Sequence, residues 1–353
     1  MVAGGGPAGS ACAITAARSG ARVLLLEKDR LPRHKVCGEF VSPESLRLLE
    51  SLLGQNPFAD HPEIGSAKVF LDNKVITLPL SPPARSISRF ELDAALIHSA
   101  QHCGVRVEQG SAARQVSPDG ATRGMFSVRT VGDNFRALAV VNATGRWSQL
   151  TQYPAGGQSK WVGLKAHYHE FAPCGSVDLY FFTGGYCGVQ PVGEHRVNAA
   201  AMVRADAARS LEEVFAAHLE LWRRSRDWEP IFPAITTSPL YFRAPETENQ
   251  GVMLAGDAAA FIDPFAGDGI SLALHSGTLA AESLSGFFAG HISLAESHQR
   301  YQAAYVKRFS PAFRNAARLR AVLSAPPWLR SALMALFGSP FVARRIVRRT
   351  RAR

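Results

Sequence analysis

Between Gly256 and Gly269 the chain reads GDAAAFIDPFAGDG, with Asp257, Asp263 and Asp268 set among alanine, phenylalanine and glycine and no cation in the stretch. Acids in so apolar a setting need a positive or hydrogen-donating partner. Two chemistries supply one: a metal ion, or a nucleotide cofactor. A hard cation would need convergent carboxylates, which nothing in this spacing favours, so no metal is expected. Near the other end, GGGPAG supplies Gly4-x-Gly6-x-x-Gly9, with Pro7 and Ala8 inside it. Glycines at this spacing let a backbone approach a diphosphate, and a helix starting there adds unpaired N–H groups and partial positive charge. Glu27, then Lys28, closes the apolar run ARVLLLEK. An acid about 20 residues after the glycines accepts hydrogen bonds from ribose hydroxyls. On these residues alone NAD, NADP and FAD all remain open.

A third group is Arg33-x-Lys35-x-Cys37-Gly38. The two cations either hold cofactor oxygens or face water, and Cys37 is either a reactive thiol or a small buried hydrophobe. Arg89 falls in the first turn of a helix, where a cation opposes the helix dipole. A bound anion would hold it there; a surface pair with Asp93 has the poorer orientation. His167 and His169 share a strand face. Without a third ligand they read as strand surface rather than a metal site.

These groups need a scaffold. The chain has 353 residues, enough for two intimately joined domains, with 46% hydrophobic and 19% charged residues, ordinary for a soluble enzyme. Five scattered cysteines without a C-x-x-C pair argue against a disulfide framework or a thiolate zinc site. No uncharged apolar run reaches the roughly 20 residues of a membrane span. The net charge of +10 is concentrated in an arginine-rich C-terminus, FVARRIVRRTRAR. No aromatic platform or nucleic-acid motif accompanies it, so no nucleic-acid partner is expected. With PPWLRSALMALFGSPF before it, the tail offers peripheral membrane contact. The alternatives are a helix packed on its own protein and a solvated end. The expected location is the cytoplasm, since the chain enters the glycine motif without a signal peptide. Only Met1, Val2 and Ala3 precede Gly4, short for a central strand of roughly 5–6 residues, so the natural start is expected upstream.

Along the chain, a helix is expected from about Pro7 to Ser19, then a buried parallel strand, a loop and a short helix near Pro43. KVFLDNKVITL reads as a hairpin turning at Asp72-Asn73. SRFELDAALIHSAQHCG reads as a helix opened by a Ser88–Glu91 capping box. VRVE is a strand, and MFSVRTVGDNFRALAVVNATG a hairpin running into a strand end. From Trp161 to Val203 the pattern becomes antiparallel strands without helices. A capped helix follows at Ser210, then a strand at GVMLAGDAAA and terminal helices. The expected fold is α/β: a discontinuous Rossmann-like nucleotide domain (1–65, 86–150, 250–290) and an inserted, mainly antiparallel sheet domain (66–85, 151–249). C-terminal helices with the basic tail occupy 291–353.

Four stretches in this order, GGGPAG with Glu27, the R-x-K-x-C-G loop, Ala143–Gly145 and GDAAAFIDPFAGDGI, resemble the geranylgeranyl reductase group of FAD-dependent oxidoreductases. That group lies within the superfamily of aromatic hydroxylases and flavin-dependent halogenases. The resemblance spans roughly residues 1–325 and implies FAD. It places Arg89, Ala113, Thr144, Gly145 and Asp257 at the cofactor. It also puts the turn from Pro264 through Gly267, Asp268, Gly269 and Ile270 at a helix N-terminus facing the flavin. Asp263 and Asp268 then read as caps of turns and of that helix. Cys37 becomes the candidate catalytic group, beside the flavin ring.

Two departures bear on chemistry. Thr144 stands where the hydroxylases carry aspartate. At Tyr186–Pro191 the reductases' Y-x-W-x-F-P becomes YCGVQP, with Gly188 and Gln190 replacing aromatics, and the halogenases' W-x-W-x-I-P is missed as well. Tyr186, Gly188, Gln190 and Pro264 are the expected pocket residues. The resemblance thus implies NAD(P)H-supported reduction of a carbon–carbon double bond in an apolar, isoprenoid-like or polyketide-like metabolite. The donor, a reduced nicotinamide or ferredoxin-like protein, would visit transiently. A monooxygenase and a non-catalytic flavoprotein are the alternatives, and halogenation is not expected.

Overall fold

Short apolar strands buried on both faces, alternating with helices, favour a parallel sheet. The computed structural model describes residues 1–146, 150, 161–240, 242 and 244–323, without positions 73 and 123. The basic tail, its preceding helix and Asn73 of the expected turn therefore lie outside the described residues.

In chain order the elements are β1 (Val2–Ala3), α1 (Pro7–Arg18), β2 (Leu24–Glu27), β3 (Phe40–Val41), α2 (Pro43–Leu53), β4 (Glu63–Leu71) and β5 (Lys74–Ser86). Next come α3 (Arg89–His102), β6 (Arg106–Gln109), β7 (Gln115–Pro118), β8 (Phe126–Arg129), β9 (Asn134–Ala137) and β10 (Val141–Asn142). Then follow β11 (Trp161–His169), β12 (Ser176–Phe182), β13 (Gly185–Gly193), β14 (Arg196–Arg204), α4 (Leu211–Ala216), α5 (Leu219–Arg224) and β15 (Ile235–Leu240). The last are β16 (Glu248–Asn249), β17 (Val252–Leu254), α6 (Gly269–Phe288) and α7 (Leu294–Leu323).

One six-stranded sheet runs β16-β17-β10-β1-β2-β6. Its strands pair in parallel from β17 to β6, and only β16 is antiparallel. This is the Rossmann-like part of an α/β fold. Its central strand β1 has only two residues, flanked by β2 and β10. Helix α1 packs closely on the Gly4 turn at one side and on α6 at the other because a glycine removes the side chain at each contact. A Cβ on Gly9 would overlap the Gly4 carbonyl oxygen, and one on Gly277 would overlap that of Ala8. Ile14, Leu25, Leu272, Tyr301, Tyr305 and Phe309 fill the core between these layers.

The second sheet has eight strands in the order β15-β11-β14-β13-β12-β4-β5-β3. All neighbours are antiparallel except β12 and β4. Its far side packs on α4 and α5 through Tyr168, Val189, Leu211, Val214, Phe215 and Leu221. Its near side faces the Rossmann-like sheet across the cavity described next. Helix ends follow local rules: Ser88 and Ser210 each accept the backbone N–H three residues on, from Glu91 and Glu213.

Candidate active site

A cavity of about 1200 Å³ runs from the start of α1 to the near face of the eight-stranded sheet. On the Rossmann side its wall is the motif loop: Gly4, Gly6, Pro7 and Ala8, with Glu27 and Lys28 at the end of β2. Glu27 is buried, and its two carboxylate oxygens accept the N–H groups of Gly5 (2.6 Å) and Asp29 (3.1 Å). Helix α1 opens with no capping side chain and no acid in its first turn. Two cations stand at that opening. A Cβ placed on Gly6 would lie 3.6 Å from an Arg89 guanidinium nitrogen and 4.0 Å from Lys35 Nζ.

Arg89 does pair with Asp93, through two 2.7 Å bonds, but the pair is buried rather than on the surface. Lys35 reaches the same carboxylate at 3.0 Å. Burial alone would raise the Asp93 carboxyl; the charges of Arg89 and Lys35 outweigh it and hold it below its ordinary value. Two cations sharing one anion leave positive charge over at a helix N-terminus, a setting for phosphate. Arg33 lines the cavity and pairs with Asp29 at 2.5 Å. Gly38, Ala113, Thr144, Gly145, Gly267, Gly269 and Ile270 also line it. Gly9 does not: it lies beneath Gly4, and its role is packing.

Cys37 lines the cavity where the two walls meet. Its sulfur accepts the N–H of Glu39 at 3.3 Å. Glu39 is fully buried at φ 61°, a conformation unfavourable for a residue with a Cβ. Its carboxylate accepts from Lys165 Nζ (2.5 Å), the Arg89 N–H (2.7 Å) and His167 Nε2 (2.7 Å). Burial would raise this carboxyl; the hydrogen bond from His167 and the charge of Lys165 overcome that and keep it low. The expectation that His167 belongs to a strand surface is therefore overturned. His167 is buried against Glu39, while His169, at the strand end, is exposed. His34, Glu39 and His167 bring ligating atoms within 4.8 Å of one another. With the Lys165 ammonium already on that carboxylate, the group is an ion-pair cluster, poorly suited to a cation.

The sheet side is ordered by strand register, since directly opposed residues share a face. One row across the sheet is Gly163, Met202, Tyr186, Phe181. The next is Lys165, Ala200, Gly188, Leu179, Val69, Ile76. A third begins with His167, Asn198 and Gln190. The floor thus has an aromatic row, a central strip of small residues and a polar corner, with aliphatic side chains toward β5. Gln190 does not present a bare amide: its Nε2 donates to Ser86 Oγ at 2.6 Å. A Cβ on Gly188 would meet only Leu179 at 3.4 Å and the Ala200 oxygen at 3.8 Å, so a larger side chain there would build into the cavity. Burial pushes the Tyr186 phenol well above its ordinary value.

Two of the three aspartates find cations from distant segments. Asp257 pairs with Arg146 at 3.3 Å and Asp263 with Arg320 of α7 at 3.5 Å. The guanidinium of Arg146 lies 4.3 Å from the Phe261 ring centroid, Phe261 stacks on Phe242, and Arg320 lies 4.0 Å from the centroid of Phe242. Asp263 and Asp268 occupy N-cap positions, yet neither makes a side-chain cap bond, which corrects the capping expectation. Nor does Asp268 line the cavity, although Pro264 does. Burial drives the Asp263 carboxyl up to about 7, against the opposing charge of Arg320.

The model of the FAD binding domain matches residues 1–307. The chain belongs to that family. It is an FAD-dependent oxidoreductase, and the uncapped α1 opening, its surplus cations and buried Glu27 suit a dinucleotide diphosphate and ribose. It is 27% identical over 317 residues to menaquinone reductase of Mycobacterium tuberculosis, covering 80% of this chain and 76% of that one. It is 26% identical over 345 residues to tryptophan 2-halogenase of Chondromyces crocatus, covering 88% and 65%. A solved geranylgeranyl bacteriochlorophyll reductase-like protein from Thermoplasma acidophilum shares the fold, with TM-score 0.74 at 23% identity over 92% of this chain and 87% of that one. Reductases and halogenases thus stand side by side among the relatives. Among the described residues no helix is long and apolar enough to cross a membrane.

Proposed function

We propose that the protein reduces a carbon–carbon double bond in an apolar metabolite, with electrons delivered by NAD(P)H or another external donor. The observation that carries this reading is the position of Cys37, between the cationic cradle and the apolar floor of Gly188, Leu179, Val69 and Ile76. FAD, when bound, supplies two-electron hydride chemistry. Gly6, Lys35, Arg89 and Glu27 would hold its phosphates and ribose. The first residues of α6, Gly269 and Ile270, line the cavity, where the backbone N–H groups of a helix start would favour negative charge on a reduced cofactor. The floor orients the alkene and excludes water. With the bound cofactor supplying the hydride chemistry, the Cys37 S–H would give its proton to the alkene carbon on its side, and the sulfur would recover a proton from solvent between turnovers. The menaquinone reductase relative is named for a reduction, which supports this reading.

A second reading, oxygen-dependent monooxygenation or halogenation, is favoured by the likeness to tryptophan 2-halogenase. Anaerobic turnover separates the two. Chemically reduced enzyme, offered a panel of unsaturated isoprenoid lipids and quinones, is expected to saturate a double bond without oxygen. Cys37→Ala is expected to slow that step by about 10²-fold. Product that forms only with oxygen, and carries ¹⁸O from ¹⁸O₂ or halogen from added bromide, would reject the reductase reading.

A further inference from the structure

The polar corner of the sheet floor grips one short turn, residues 37–39, from several directions. Lys165 and His167 hold the Glu39 carboxylate. Asn198, one strand over and opposite His167, donates its Nδ2 group to the carbonyls of Cys37 (3.1 Å) and Gly38 (2.9 Å). From the Rossmann side, the backbone N–H of Arg89 donates to Glu39 Oε1, and the N–H of Ile87 to the Glu39 carbonyl at 3.0 Å. Glu39 itself adopts a left-handed backbone with a side chain, although the neighbouring Gly38 would carry that conformation freely. The distortion has a geometric result. It sends the Glu39 carboxylate down into the sheet while its N–H turns back to Cys37 Sγ.

We propose that Glu39 is a positioning residue. By anchoring its carboxylate to Lys165 and His167, it fixes the height and direction of Cys37 over the substrate floor, and Asn198 secures the same turn. The assignment deepens the reading of Cys37 as proton donor and rests on it for its catalytic meaning. A side chain that must deliver a proton to a carbon gains from being held to a fraction of an ångström. A flexible loop carrying a thiol would not provide that. The anchor also explains why a buried lysine, otherwise costly, sits beneath an apolar floor: its partner is the loop rather than a ligand.

The test uses FAD-loaded protein and iodoacetamide, with the alkylation rate of each cysteine followed by peptide mass spectrometry. Glu39→Gln combined with Lys165→Met removes the buried charge pair without leaving either ion alone. It is expected to speed Cys37 alkylation about tenfold through loss of charge-assisted bonds. Asn198→Ala leaves those charges untouched and is expected to give about a threefold rise by the same arithmetic. Exposed Cys174 should be unchanged and buried Cys12 and Cys187 should stay unreactive. A native Cys37 rate in Asn198→Ala and in any charge-pair variant that retains FAD overturns the assignment. So does an equal acceleration of Cys12 and Cys187, which would mean general loosening. Alkylation needs no turnover. Should Cys37 prove not to be the proton donor, this measurement still decides whether Glu39 seats it.

Discussion

The two walls of the cavity are built by opposite means. The cradle is made of backbone: Gly4, Gly6 and Gly9 remove side chains, and a single acid, Glu27, ties the loop to β2 through the Gly5 N–H. The floor is made of side chains, placed by the register of strands whose residues lie far apart in sequence; Glu39 and Lys165 are 126 positions apart. The difference teaches where each wall is vulnerable. At Gly4 and Gly9 the close backbone contacts of the cradle leave no room for an added atom, whereas a floor of side chains can change its shape while the strands beneath keep their pairing.

The sharpest way to break this comparison is at Gly9. Gly9→Val drives a branched side chain into the Gly4 carbonyl. FAD affinity is expected to fall by more than about 100-fold, in line with the large cost of backbone overlap in a core. The flavin-to-protein absorbance ratio of purified protein checks this, and full flavin occupancy would mean that the cradle is not set by that contact. Next in size, Glu27→Ala removes a buried acceptor and strands the Gly5 N–H. FAD binding should weaken by roughly 1–3 kcal/mol, measured by titration calorimetry. An unchanged affinity would shift the weight of recognition to Lys35 and Arg89. The smallest effect on the cofactor belongs to the floor. Gly188→Phe should leave FAD affinity within about twofold, since distant sites act independently. It should weaken binding of an apolar probe such as geranylgeraniol by about tenfold or more. A variant that loses FAD and probe together would show that the two walls are not separable.

The same contrast explains what was legible. The cradle could be read because its residues fall within one short motif, and each has a local reason to be where it is. Arg89 was legible as a cation in the wrong turn of a helix; its burial with Asp93 and Lys35 was not, because that depends on how the 33–38 loop folds over α3. Cys37 stood inside a recognisable loop, whereas Glu39, two residues on, looked like any loop acid. Only the pairing of β11 against β14 brings Lys165, His167 and Asn198 beneath it. His167 read as surface for the same reason: a strand pattern gives a face but not what covers it. The aspartates showed their need for cations without naming them, since Arg146 and Arg320 come from segments that no spacing links to the 256–269 stretch.

The parallel seam between β12 and β4 joins two stretches of chain, 63–86 and 161–240, into one continuous floor. Strands in such a sheet sit about 4.8 Å apart, so the floor is a grid with fixed pitch, and each position on it accepts or gives up volume in steps of one side chain. Over generations this is an economical surface to revise. Exchanging glycine for an aromatic residue at a site like Gly188 redraws the outline that a substrate meets, while the strand pairing and the opposite wall stay as they were. One inherited frame can therefore drift among substrates of different bulk by single replacements, each intermediate still folding and still able to carry its cofactor.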